Sequence, residues 1–232
     1  MNVVNTPPRE IVTLDNRIRS CRLCEEAGYI PSARPVVMDA GRFGGIVLIG
    51  QAPGIVEHDN GRPFGGRAGR ELFRWLESIG IEEDDFRSLV YMGAVTRCFP
   101  GKAVSGSGDR KPSRLEIEAC RPWLETVLAT LRPRSLLLVG QLAMMPYFAG
   151  RHLDDVIGRR FEFDGRTVVP LPHPSGASRW LNDTSHRVLL GEALAQVKDL
   201  WNEMISSLTE PSLVQDVPGP PGSPFRSSID QR

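Results

Sequence analysis

Cys21, Cys24, Cys98 and Cys120 are the four cysteines of this chain. Two residues separate the first pair, so a single turn presents both sulfurs to one centre. Cys98 follows an apolar stretch read as a strand, and Cys120 falls inside a helical pattern. Four thiolates suit either a tetrahedral zinc ion or a [4Fe–4S] cluster. The plainer alternative is a redox dithiol at Cys21 and Cys24 beside two ordinary buried thiols. A metal centre is favoured because no cysteine is left over. Zinc ribbons and fingers usually pair two short knuckles. Only one is short here, which tilts the reading toward the cluster.

A second set of residues lies in two loops. The first reads Gly50-Gln-Ala-Pro-Gly54-Ile-Val-Glu-His-Asp-Asn-Gly61-Arg-Pro-Phe64-Gly-Gly66. No Gly-Lys-Ser/Thr follows it, so it is not a phosphate-binding Walker loop. Its glycine spacing is wrong for a dinucleotide fingerprint. The second loop is His173-Pro-Ser-Gly176. Both follow predicted strands, so both should face one end of a sheet, where open α/β folds bind ligands. Taken alone, His173 reads as readily as a structural histidine. Phe64 alone reads as core rather than platform.

The elements that must position these loops follow from periodicity. Residues 45–50, 88–96, 134–140 and 167–171 read as strands, and Asp164-Gly165 is a hairpin signal. Residues 68–79 place Leu72, Leu76 and Ile79 on one helical face. Ser113 and Glu116 form a capping box before the apolar face of Ile117, Cys120, Leu124, Val127, Leu128 and Leu131. Residues 141–148 are read as helical. A last helix begins near Asp183 or Thr184, with Leu190, Leu194, Val197, Trp201 and Met204 on its stripe. Residues 51–67 and 100–112 read as loops. Strands alternating with helices predict an α/β protein with a parallel sheet covered on both faces. Residues 1–208 are expected to form one domain and residues 209–232 a disordered tail.

Lys and Arg total 28 and so do Asp and Glu, which excludes a uniformly basic nucleic-acid coat but not a local basic groove. No apolar run approaches the roughly 20 residues of a membrane helix. The N-terminus has no charged start leading into an apolar stretch, so no secretory signal is read and the expected compartment is the cytoplasm.

Together the motifs resemble the iron–sulfur uracil-DNA glycosylases, often called family four. That group carries a Gly-Glu-Ala-Pro-Gly loop, a Gly-x-Pro-Phe segment, a His-Pro motif near the C-terminus and four cysteines in this order. The resemblance spans about residues 21–201. It implies a three-layer α/β/α fold with a small central parallel sheet. It also implies a [4Fe–4S] cluster on Cys21, Cys24, Cys98 and Cys120, and hydrolysis of the bond between a damaged base and deoxyribose in DNA. Three departures stand out. Gln51 replaces the loop glutamate, and Ala52 stands where better-known uracil-DNA glycosylases place an aspartate. Ala94 stands where the family tends to place an Asn that reads the uracil edge. Residues 100–112 lack the histidine of relatives that crosslink to DNA.

The resemblance assigns roles residue by residue. His173 would hydrogen-bond the uracil O2 as charge develops, and Gln51 would hold the water. Glu57 and Asp59 are the nearest carboxylates that might replace the missing one, with solvated loop charges as the plainer reading of each. Gly50, Ala52, Pro53, Gly54, Phe64, Ala94, Ser175 and Gly176 would form the base pocket, with Phe64 stacking on an extracted base. Arg67, Arg70 and Arg179 would meet DNA phosphates, and Trp180 would either wedge into the duplex or pack in the core. Ala94 implies loose base choice, extending from uracil to hypoxanthine and xanthine. The expected partner is DNA containing such bases, bound by a monomer. Two other functions stay open at this point. One is a cluster-bearing DNA-binding protein without glycosylase activity. The other is a zinc-stabilised hydrolase or nucleotide-binding α/β protein that shares only the fold.

Overall fold

The computed structural model describes residues 9–38, 43–104, 108–175 and 179–209. Gly176 and residues 210–232 of the expected tail lie outside the described residues.

Five short segments make the sheet: β1 (Ile46–Gly50), β2 (Val90–Ala94), β3 (Ser135–Val139), β4 (Phe161–Phe163) and β5 (Arg166–Leu171). Their order is β2-β1-β3-β5-β4. β1, β2, β3 and β5 run parallel. Every residue of β1 and β3 is buried, as a strand covered on both faces must be. Each buried Val, Leu or Ile there contributes about 1.5–3 kcal/mol. The sheet is not purely parallel, because β4 joins one edge antiparallel to β5. The turn between them has positive φ at both Asp164 (50°) and Gly165 (71°), the conformation that an Asp-Gly pair favours.

The helices are α1 (Arg9–Arg19), α2 (Leu23–Glu26), α3 (Ile55–Asn60), α4 (Arg67–Glu77), α5 (Glu83–Leu89), α6 (Arg114–Leu131), α7 (Gln141–Phe148), α8 (Leu153–Val156) and α9 (Thr184–Thr209). α5 packs on β2, α7 on β1 and β3, and α9 on β5. This is the expected three-layer α/β/α arrangement. Phe86 of α5 meets Phe73 of α4 edge-on at 6.1 Å and stacks on Trp201 of α9 at 6.0 Å, tying three helices together at one point. The Ser113 capping box forms as read, with Ser113 Oγ accepting from Glu116 N and Glu116 Oε2 accepting from Ser113 N.

Three segments differ from the sequence reading. The N-terminal stretch, to which the periodicity assigned no element, contains α1, whose Ile11, Leu14 and Ile18 are buried and which packs against α6. Residues 51–67 are not loop throughout, since α3 lies within them. Ser88 and Leu89 belong to α5 rather than to a strand. Glu83, Asp84 and Asp85 fill the first turn of α5, where negative charge complements the helix dipole.

Candidate active site and thiol-lined cavity

The parallel strands end at one edge of the sheet, and the two motif loops start there. Gly50, the last residue of β1, pairs in register with Ala94, the last residue of β2. Val95 N donates to Gly50 O at 3.0 Å and Thr96 N to Gln51 O at 3.3 Å, so the loops after β1 and β2 leave the sheet side by side. His173 follows β5, and Gly140 N donates to Leu171 O at 2.9 Å. A Cβ at Gly140 would lie 2.9 Å from His173 Cδ2, so the absence of a side chain there lets the ring seat over the end of β3. The expected residues Gly50, Gln51, Ala52, Pro53, Gly54, Ala94 and His173 therefore share this edge.

Glu57 is held by the main chain. Its side chain is buried, and both oxygens accept main-chain bonds: Oε1 from Gly66 N at 2.7 Å and Oε2 from Gly54 N at 3.0 Å. It clamps the loop after β1 to the turn before α4. Asp59 lies two residues further along α3 and is exposed. Residues two apart on a helix do not face the same way. The structure thus does not bring Asp59 together with Glu57. Gln51 is half-buried, and its side-chain amide makes no hydrogen bond among the described residues.

Phe64 sits at φ 52°, a left-handed conformation uncommon for a non-glycine residue. Two glycines make room for it. A Cβ at Gly50 would lie 2.8 Å from Phe64 Cζ, and one at Gly69 would overlap the Phe64 carbonyl. The ring therefore lies against the end of β1, at the loop edge. Arg67 and Arg70 follow on α4 and are exposed. Arg179 opens the short 3₁₀ helix Arg179–Asn182. Trp180 packs locally: its Nε1 donates to Asp154 at 2.6 Å, and its ring stacks on His186 at 4.2 Å.

His173 Nδ1 accepts the Ser175 backbone N–H at 3.2 Å and lies 2.9 Å from Ser175 Oγ. A backbone N–H can only donate, so Nδ1 is the unprotonated nitrogen and the neutral ring carries its proton on Nε2. Burial lowers the imidazole pKa, and the charge of Lys111 lowers it further. The Nε2–H has no hydrogen-bond partner among the described residues. Ser175 is thus placed as the residue that sets the tautomer of His173.

Residues 100–112 hold a side chain that the sequence reading passed over. Lys102 and Asp109 form an antiparallel bridge, reinforced by Ala103 N to Gly108 O and Arg110 N to Gly101 O, each 3.0 Å. Asp109 Oδ1 pairs with Lys102 Nζ at 2.8 Å. Its other oxygen, Oδ2, would lie 3.0 Å from a Cβ built on Gly54. The segment is a small hairpin leaning on the loop after β1.

Away from this edge, Cys21, Cys24, Cys98 and Cys120 line one cavity with Ile18 and Trp123. Trp123 Nε1 donates to Cys21 Sγ at 3.3 Å and Arg97 N to Cys120 Sγ at 3.2 Å. Burial and mutual repulsion push the Cys24 thiol up to about 11 and that of Cys98 up to about 12; burial also raises Cys120. Beside them Arg97 is 2% exposed, and its Nε, Nη1 and Nη2 have no hydrogen-bond partner among the described residues. Among the described residues no group of three or more His, Cys, Asp or Glu is arranged to hold a metal ion. Thiols set around a cavity, with N–H donors on two sulfurs and a buried cation alongside, form a donor set that fits a multi-atom anionic centre better than a single ion.

Comparison with known proteins agrees with this architecture. The model of the uracil DNA glycosylase superfamily matches residues 43–203. The chain is 30% identical over 153 residues to a type-4 uracil-DNA glycosylase of Pyrobaculum aerophilum, covering 66% of this chain and 69% of that one. It is 29% identical over 184 residues to the type-4 uracil-DNA glycosylase of Thermotoga maritima, covering 78% and 88%. Against that of Archaeoglobus fulgidus it is 32% identical over 138 residues, covering 56% and 61%. With the loops after β1 and β5 meeting at one sheet edge and these matches spanning most of the fold, the chain belongs to the uracil DNA glycosylase superfamily, as a relative of its type-4 members.

Proposed function

We propose that this chain is a DNA-repair glycosylase that hydrolyses the N-glycosidic bond of uracil in DNA, and of other deaminated bases, acting as a monomer in the cytoplasm with residues 1–208 as its working domain. The observation that carries the reading is His173: a half-buried, neutral imidazole whose Nε2–H meets no hydrogen-bond partner among the described residues, at the sheet edge that also holds Gly50–Gly54. Cleavage leaves negative charge on the departing base. A fixed donor toward O2 stabilises that charge without needing a proton of its own to give away. Main-chain N–H groups of the loop after β1 add to it. Phe64 offers its ring to the extracted base, and Gln51 orients water through a neutral amide. Arg67, Arg70 and Arg179 neutralise phosphates of the bound strand. Ala94 lacks the donor and acceptor pair that would read one base edge, so bases of similar shape are accepted.

Cys21, Cys24, Cys98 and Cys120 would hold a [4Fe–4S] cluster, in keeping with the reduced thiols of that compartment. When bound, the cluster supplies a covalent staple between the N-terminal segment, the stretch after β2 and α6. The thiol-lined cavity, the two N–H···S bonds and the buried Arg97 charge support this.

The test is release of free base from oligonucleotides carrying uracil, hypoxanthine or xanthine, with His173→Ala as control. The expected result is uracil release by the native chain and a loss of about a hundred- to a thousandfold in the variant. Native protein that binds such DNA without releasing base would overturn the reading.

A further inference from the structure

Hydrolysis needs a group to take a proton from the attacking water, and the loop after β1 does not provide one. Gln51 is neutral, and Ala52 has no functional group. Both oxygens of Glu57 already accept main-chain N–H bonds. Asp59, two residues beyond Glu57 on α3, does not face the same way as Glu57. One other carboxylate reaches this loop. Asp109 comes from the hairpin after Cys98, and its Oδ2 would stand 3.0 Å from a Cβ on Gly54. Among the described residues only Oδ1 is engaged, by Lys102 at 2.8 Å, and the side chain is 33% exposed. Oδ2 is therefore open to a water molecule. Lys111, two residues beyond Asp109, lies close enough for its charge to act on His173.

The geometry points to Asp109 as the residue that accepts the proton of the hydrolytic water. This deepens the glycosylase reading and rests on it. The Lys102 pair holds Oδ1, which fixes the carboxylate and leaves Oδ2 facing the loop after β1. In the step itself the C1′–N bond breaks and its electron pair leaves with the base. The water oxygen bonds to C1′, and one water proton passes to Asp109 Oδ2. The products are a sugar hemiacetal hydroxyl and a base anion held by His173. The proton on Asp109 then passes through solvent to the base anion, which restores the carboxylate. The net change is one water consumed, one C–N bond exchanged for a C–O bond, and a neutral base released. A carboxylate borne on a different loop thus replaces the one that Gln51 and Ala52 lack.

The experiment compares single-turnover uracil excision by the native chain, Asp109→Asn, Asp109→Ala, and Asp109→Asn combined with Gln51→Glu. Affinity for the abasic-site oligonucleotide and thermal melting are followed in each. General-base loss predicts a fall of roughly a hundredfold or more in rate for Asp109→Asn, with melting and product-DNA affinity unchanged. Gln51→Glu should recover part of the rate, because a carboxylate returns on the neighbouring loop, and a merely structural role for Asp109 would not respond to it. An Asp109→Asn rate within threefold of native overturns the inference. So does a lost rate accompanied by an equal loss of DNA affinity in both Asp109 variants. A native chain that releases no uracil overturns the glycosylase reading, and this inference with it.

Discussion

Arg87 holds the main chain at Phe64: its Nη1 donates to the Pro63 carbonyl at 2.9 Å and its Nη2 to the Phe64 carbonyl at 3.1 Å. Its Nε donates to Glu83 at 2.7 Å, and the guanidinium lies 4.3 Å over the Phe73 ring. One side chain on α5 thus fixes a left-handed residue on the loop that leads into α4. Arg87→Ala removes three charge-assisted bonds and should destabilise the fold by at least about 1.5–3 kcal/mol. It should also raise KM for uracil DNA more than it lowers kcat, because Phe64 loses its set position. Arg87→Lys should recover little, since one ammonium cannot serve both carbonyls and Glu83 in a fork. Denaturant titration and steady-state kinetics on the two variants check this.

Glu57→Gln keeps the size of the side chain but turns one acceptor into a donor. One of the N–H groups of Gly54 and Gly66 then loses its partner. The expected cost is about 1–3 kcal/mol of stability, with slower excision following from the loosened loop. A variant that melts like the native chain while losing activity would place Glu57 in the chemistry instead.

His173 sets a sign for the pH dependence. Its folded pKa lies below the ordinary value of 6.5 because of burial. Below about pH 6.5 the unfolded chain binds a proton that the folded chain does not. Stability from this group is therefore whole above pH 6.5 and declines as pH falls toward the lowered folded pKa. Protonation at Nδ1 also breaks the bond from Ser175 N. Melting temperature against pH should show this acid-side loss in the native chain, with a shallower slope in His173→Gln.

Cys120→Ser should reduce iron content and visible absorbance after anaerobic purification, along with soluble yield. Iron retained at the native level would contradict the four-thiolate assignment.

Arg97→Met separates the loaded protein from the iron-free one. A buried guanidinium with no acceptor is destabilising on its own, and an apolar replacement of similar length removes that penalty. Beside an anionic cluster the same charge is favourable. Melting of the iron-free variant should rise above that of the iron-free parent, whereas melting of the loaded variant should fall. A shift of the same sign in both forms would contradict the pairing.

Much of this site was legible in the residue order because local chemistry dictates it. Val, Ile and Leu between glycines made β1. Ser113 and Glu116 are three apart and closed a cap on each other. Asp164-Gly165 made the β4–β5 turn. The four cysteines converge because nothing else in the chain competes for that chemistry. The parts that escaped depend on pairings that spacing does not encode. Glu57 reads as a free loop charge until Gly66, nine residues on, is folded back against it. Asp109 reads as one charge in a basic stretch until Lys102 pairs with it and Gly54 offers an open face. Trp180 reads equally well as a wedge until His186, one turn into α9, stacks on it. α1 was hidden because three apolar residues in a polar segment make too narrow a stripe to stand out before α6 is known to receive it.

The strand order has a consequence for how the chain reaches this state. Gly50, Ala94 and His173 arrive on β1, β2 and β5, and β3 must lie between β1 and β5 before His173 can rest on Gly140. No two adjacent parallel strands are joined by a short turn, so every parallel pairing closes a long loop before it is rewarded. A nascent chain that has made β1, α4 and β2 already carries the loop after β1 and Phe64, yet it has no histidine loop to face them. The pocket closes last, with β5. Folding of this chain should therefore be slow for its size, and a truncation before residue 166 should leave its central β3 as an exposed apolar edge prone to association.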